Sequence, residues 1–68
     1  MIRFLVTGTA RDHRYQYNIL VAPDRYDHRH VEPGERVTIL LERRDADEAR
    51  IAGTYDHHLS NVTVRPAP

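Results

Sequence analysis

Sixty-eight residues without a cysteine allow one small domain. They exclude disulfide staples, thiolate metal ligands and thiol nucleophiles. Ten arginines balance ten carboxylates, and the balance holds along the chain: five Arg face four acids in residues 1–34, and five face six in residues 35–68. A protein that binds nucleic acid by neutralising phosphates usually carries a basic excess, so composition gives that function no support. The longest wholly apolar runs, Ile19 to Ala22 and Ile39 to Leu41, are far shorter than the roughly 20 residues of a membrane helix. The first residues show no cleavage signature, so the expected compartment is the cytoplasm, or a particle assembled there. Every basic residue is Arg and none is Lys, the mark of a GC-rich coding genome such as that of an actinobacterium or its phages.

In chain order, alternation with period two comes first. Ile2, Phe4 and Val6 share a face, opposed by Arg3, Leu5 and Thr7. Tyr15, Tyr17, Ile19 and Val21 form the next stripe, which Pro23 closes. Val37, Ile39 and Leu41 form a third, after the turn signal Pro33-Gly34. Ile51, Gly53 and Tyr55 form a fourth, and Val62 with Val64 a fifth. Successive strand side chains point to opposite faces, so each run reads as a half-buried strand. Short polar connectors at residues 11–14 and 45–48 suit hairpins. Residues 35–52 also contain good helix formers, with Gly53 placed as a helix-terminating glycine. Two strands, one helix, or a helical turn confined to residues 45–50 are the three readings of that segment. The two-strand reading fits the alternation best.

Five short strands without a covering helix would bury their apolar faces by closing on themselves. The expected fold is all-β, a small five-stranded antiparallel barrel of the SH3-like or OB-like kind, with a short helical turn near 45–50 as a variant. One domain over residues 1–65 and a disordered tail at 66–68 complete this expectation.

The candidate functional segment is the connection of residues 23–34, twelve residues read as irregular and dense in Arg, His and Asp. Its candidate partner-binding residues are Arg25, Tyr26, His28, Arg29 and His30, of which tyrosine and arginine are types enriched at interface hot spots. Tyr-Asp-His occurs twice, at Tyr26-Asp27-His28 and at Tyr55-Asp56-His57. Imidazole and carboxylate suit zinc or a similar ion, which makes His28, His30, Asp56 and His57 the conceivable ligands. No motif fixes their spacing, so exposed loop histidines are the simpler reading and no metal or other cofactor is expected. Ser60, the one serine, lies in no Gly-x-Ser-x-Gly elbow. Gly8, Gly34 and Gly53 form no phosphate-cradling loop. Asp45, Asp47 and Glu48 fall in a polar turn. No enzyme activity is expected.

Gly34, Gly53, Tyr55-Asp56, Leu59 and Asn61 resemble the first motif of Sm-like RNA-binding proteins, over about 30 of the 68 residues. The departures are an early Tyr55-Asp56, Ser60 between Leu59 and Asn61, and no second motif after Val64. The resemblance implies RNA binding, with Asp56 and Asn61 reading bases.

Taken together, the residues point to a non-catalytic β-barrel interaction module, a protein-binding or structural subunit of a larger phage or actinobacterial assembly, with a protein partner or self-association and no membrane. A single-stranded nucleic-acid-binding barrel is the alternative, and a His/Asp metal-binding domain the second alternative.

Overall fold

The computed structural model describes residues 1–12, 14–17 and 26–68, and side chains over 1–12 and 31–68. Five strands and one helical stretch appear in it: β1 Ile2–Ala10, β2 Arg14–Tyr17, β3 Tyr26–Val31, β4 Arg36–Arg43, α1 Ala46–Ile51 running directly into a π-helical segment Ala52–Asp56, and β5 Leu59–Pro66. The chain is mostly β, as its alternation dictates. The described residues form an open three-stranded antiparallel sheet in the order β4-β1-β5 and a separate β2-β3 ladder. The five-stranded barrel expected from the sequence is not formed by these two ladders.

β1 pairs antiparallel with β4 from Ile2↔Arg43 to Thr9↔Arg36 without a break. β2 and β3 resume the pairing in step. From Thr9↔Arg36 to Arg14↔Val31 one strand advances by five residues and the other goes back by five. The two ladders are therefore one ribbon interrupted by a turn. Glu35 N–H donates to the Glu32 carbonyl at 3.1 Å, and Gly34 takes a φ of 91°. Proline second and a positive-φ glycine third are the demands of a type II turn, which Glu32-Pro33-Gly34-Glu35 meets. This corrects two expectations. Residues 11–14 do not close a hairpin between the first two runs, and residues 26–31 are a strand rather than part of a long irregular connection. The Ile19 and Val21 part of the second stripe lies outside the described residues, as do the side chains of Tyr15 and Tyr17.

The fourth expected strand is also overturned, because residues 46–56 are helical. Asp45 caps the helix, its Oδ1 accepting from Glu48 N–H at 2.9 Å, and Glu48 Oε2 accepts from Arg44 N–H at 3.2 Å. The Asp45 bond satisfies one of the amide donors that a helix start leaves orphaned, and the Glu48 carboxylate reaches back to the residue before the cap. Arg44 pairs with Glu48 at 2.8 Å, and Arg50 with Asp47 at 2.8 Å. The Glu48 carboxyl is held below its ordinary range, first by the Arg44 side-chain hydrogen bond. Its contribution is present above the usual carboxylate pKa and fades as pH falls through the lowered value. The pair is solvent-exposed, so salt screens it.

β4 and β5 both run antiparallel to β1, so they are parallel to one another, and the helix crosses between them over one sheet face. Phe4, Val6 and Ala10 of β1, Val37, Ile39 and Leu41 of β4, Val31, Leu59 and the helix residues Ala49 and Ala52 form the buried core, flanked by Val62 and Val64. The helix approaches closely because its inner residues are small. A Cβ at Gly53 would lie 2.7 Å from Val6 Cγ1. Polar cross-strand pairs lace the opposite sheet face. Arg3 meets Glu42 at 3.5 Å, Thr7 meets Thr38 at 2.9 Å, and Arg36 donates to Thr9 Oγ1 at 3.1 Å.

β5 carries one irregularity, where its register with β1 shifts between Thr7 and Thr9. Asn61 sits there with a φ of 51°, a region that asparagine tolerates better than most residues. Pairing reaches Pro66, and Ala67 N–H donates to the Arg3 carbonyl at 2.9 Å. Among the described residues no helix is long and apolar enough to cross a membrane.

Replacing glycine by alanine in an open helix gains about 1 kcal/mol. At Gly53 the sign reverses, because Val6 is fully buried and has nowhere to move. Gly53→Ala is expected to lower stability by about 1–2 kcal/mol in urea unfolding. The loss should shrink in a Val6→Ala background, where the space exists. Asp45→Ala is expected to cost about 1 kcal/mol through the lost cap, read from the same unfolding curves.

Candidate functional site

Two surfaces draw attention. The first is the junction where the π-helical segment delivers the chain into β5. Thr54 Oγ1 bonds back to the Arg50 carbonyl at 2.9 Å, offering that acceptor an alternative to an amide. His57 N–H reaches the Ala52 carbonyl at 3.1 Å, five residues back. His57 is buried, and His58 turns into the left-handed region at φ 56°. The residues after β1 close over this corner. Arg11 donates through Nη2 to the Thr54 carbonyl at 2.6 Å, and Arg11 N–H donates to the His58 carbonyl at 3.2 Å. Asp12 Oδ2 lies 3.0 Å from His58 Nδ1. Three contacts thus tie the start of the distal ribbon to the helix exit.

The sequence pairs His57 with His58 as exposed loop residues. Instead one is buried and the other is half-buried against Asp12. Asp12 and Arg11 were not singled out in the sequence. Their polar neighbourhood gave no periodic signal, and only the fold brings them to residue 58.

The second surface lies on the helix side of the sheet. Ile51 is 53% exposed and Tyr55, four residues on, is 71% exposed. Residues so spaced share one side of a helix. Met1, at 83%, and Ile51 line one open hollow of about 560 Å³ together with Arg43, Arg44, Glu48, Ala52 and Asp56. Ile2, also exposed, follows Met1 on β1. Arg43 donates to the Glu42 carbonyl at 2.9 Å and Arg44 is held by Glu48, so the rim of this apolar patch is built of partnered charges.

The candidate partner-binding residues divide. Tyr26, His28, Arg29 and His30 lie on β3, with Tyr26 opposite Tyr17, Arg29 opposite Gln16 and His30 opposite Tyr15. Their side chains, and the whole of Arg25, lie outside the described residues. Among the possible metal ligands, Asp56 is exposed and His57 is buried. Among the described residues, no group of three or more His, Asp or Glu is placed to hold an ion.

The Sm-like resemblance needs Gly53 and Tyr55-Asp56 in a strand. Here they are helical, and Asn61 occupies the β5 irregularity. No family model, no curated protein and no solved structure matches the chain.

The left-handed backbone at residue 58 makes a local test. A β-branched residue is strained there. His58→Val is expected to cost about 1–3 kcal/mol, whereas His58→Asn, which tolerates the conformation, should cost less. Chemical denaturation of the two variants ranks them. Equal losses would mean that the Asp12 contact, not the backbone, dominates this corner.

Proposed function

We propose that this chain is a non-catalytic interaction module, a protein-binding or structural subunit of a larger assembly. The observation that carries the reading is the exposed apolar pair Met1 and Ile51 lining one hollow, with exposed Tyr55 four residues beyond Ile51 on the helix. Scattered exposed hydrophobics are ordinary, but a cluster around a hollow, rimmed by charges, is typical of protein-binding surfaces. Of the residue types that dominate interface hot spots, Arg43 lines the hollow and Tyr55 is exposed four residues from Ile51. The β3 residues Tyr26 and Arg29, with Arg25, His28 and His30, remain the second contact surface of this proposal. Burial of Leu40 on the sheet face away from the helix supports a further element of it, a barrel-like closure of the β2-β3 ribbon against that face.

A second reading has one observation in its favour. Among the described residues, the sheet face opposite the helix carries Arg3, Arg36, Arg65 and Thr63 along its length and one carboxylate, Glu42, which Arg3 engages. Folding thus collects arginines that composition leaves balanced, and a strip of this kind suits a single-stranded nucleic-acid backbone.

Affinity capture from the source cell with tagged wild type, Tyr55→Ala, Ile51→Asp and Tyr26→Ala separates the readings. Loss of the same copurifying protein in the helix-side variants, with melting curves unchanged, supports the module. Fluorescence anisotropy with single-stranded DNA and RNA at two salt concentrations is the counter-test. A salt-dependent signal that Arg36→Ala and Arg65→Ala abolish favours the nucleic-acid reading, and capture unaffected by every variant overturns the module.

A further inference from the structure

The outer edge of β5 is the feature that neither surface above uses. Ala67 N–H points at Arg3, and main-chain groups alternate along a strand. Arg65 and Thr63, opposite Leu5 and Thr7, therefore bond to β1, while the N–H and C=O groups of Val64 and Val62 face outward. Among the described residues no strand lies beyond β5, and Asn61, Thr63, Arg65 and Pro66 are exposed. Edges are commonly guarded by charge, proline or a bulge. β5 has all three: the charge of Arg65, the Asn61 irregularity and Pro66. The last two bracket the edge rather than block it. Between them lies Val62-Thr63-Val64-Arg65, which holds three uncharged β-branched residues and no acid.

We propose that this edge pairs antiparallel with the same edge of a second copy, about a two-fold axis at Thr63. In that register Val62 faces Val64 of the second copy, Thr63 faces Thr63, and Asn61 faces Arg65, so no like charges are opposed. The outward amides and carbonyls of Val62 and Val64 would close about four inter-strand hydrogen bonds. The half-exposed valines, already packed on the core, cover one another's remaining apolar surface. The bulge and the proline limit the ladder to one register, since a slip by two residues would bring Pro66, which has no N–H, opposite Val62. An interface this short suits a reversible, concentration-dependent dimer rather than an obligate one. The inference deepens the interaction-module reading by naming one partner. That reading survives its failure, because a monomer still binds other proteins through the helix-side surface.

The absence of native cysteine gives a direct test on the full chain. Thr63 faces its own copy in a non-hydrogen-bonded pair, with Cα atoms about 4.5 Å apart, within disulfide range. Under mild oxidation Thr63→Cys is expected to become a covalent dimer rapidly. Arg65→Cys, whose copies would lie several residues apart along the ladder, should remain largely monomeric. In parallel, light scattering across a concentration series should show wild type dimerising, Thr63→Lys and Thr63→Glu monomeric, and their equimolar mixture dimeric again. Val64→Pro removes an amide that bonds to nothing within the sheet, so it should abolish the dimer while leaving the fold intact by circular dichroism. Wild type monomeric at every concentration overturns the proposal, as does equal crosslinking of the two cysteine variants.

Discussion

The close stacking of a helix of small residues on a strand bonded along both edges is what the rest of the molecule depends on. Among the described residues β1 alone is paired on both sides. Its even residues present their side chains to the helix, and Gly53 brings that helix to within contact of Val6. Gly8, in the same stripe, leaves room for Leu59, whose Cβ would lie 2.7 Å from any Cβ added there. Two glycines on facing elements thus set how thin the core is. A small chain buries a limited fraction of its surface, so it cannot spare the contacts that a thicker core would lose. Only alanine and glycine on the inner helix side let Val6, Ile39 and Leu41 reach full burial.

Several of the chain's charges are paired by this geometry. Arg3 meets Glu42 across strands, Arg44 meets Glu48 and Arg50 meets Asp47 along the helix. Such exposed pairs each contribute little. Their effect is to keep the flanks soluble while the apolar residues that do not fit the thin core, Met1, Ile51 and Tyr55, stay outside. The candidate interaction surface is therefore a consequence of the packing: a narrow interior leaves apolar side chains over, and they collect beside the helix.

The sequence made some of this legible. The alternations at Ile2-Phe4-Val6, Val37-Ile39-Leu41 and Val62-Val64 are strands because one sheet face is packed against the helix while the other carries mostly polar residues. The sequence offered only a helical turn near 45–50 in the expected fold, because the helix's buried residues are Ala49, Ala52 and Gly53, too small to register as an apolar stripe. Meanwhile Ile51, Gly53 and Tyr55 alternate only because two of them are left in solvent. Asp45 followed three residues later by Glu48 was the readable cue, a helix start in place of a hairpin turn. β3 escaped notice for another reason. Before Val31 its residues are histidine, tyrosine, aspartate and arginine, which hydrophobic patterning does not see. The corner joining Arg11, Asp12, Thr54 and His58 was not readable at all, since it brings together residues more than forty positions apart.

Amide hydrogen exchange, resolved by residue in the full chain, tests the central role of β1 most directly. Main-chain groups of even residues in β1 point to β4 and those of odd residues to β5. The account therefore predicts that Leu5, Val6 and Thr7 are all among the slowest amides, exchanging only on global unfolding. Val64, whose N–H faces outward, should exchange faster at concentrations where the chain is monomeric. Slow exchange at Val6 with fast exchange at Leu5 and Thr7 would show that β5 does not pair with β1, and would contradict the three-stranded sheet on which the account is built.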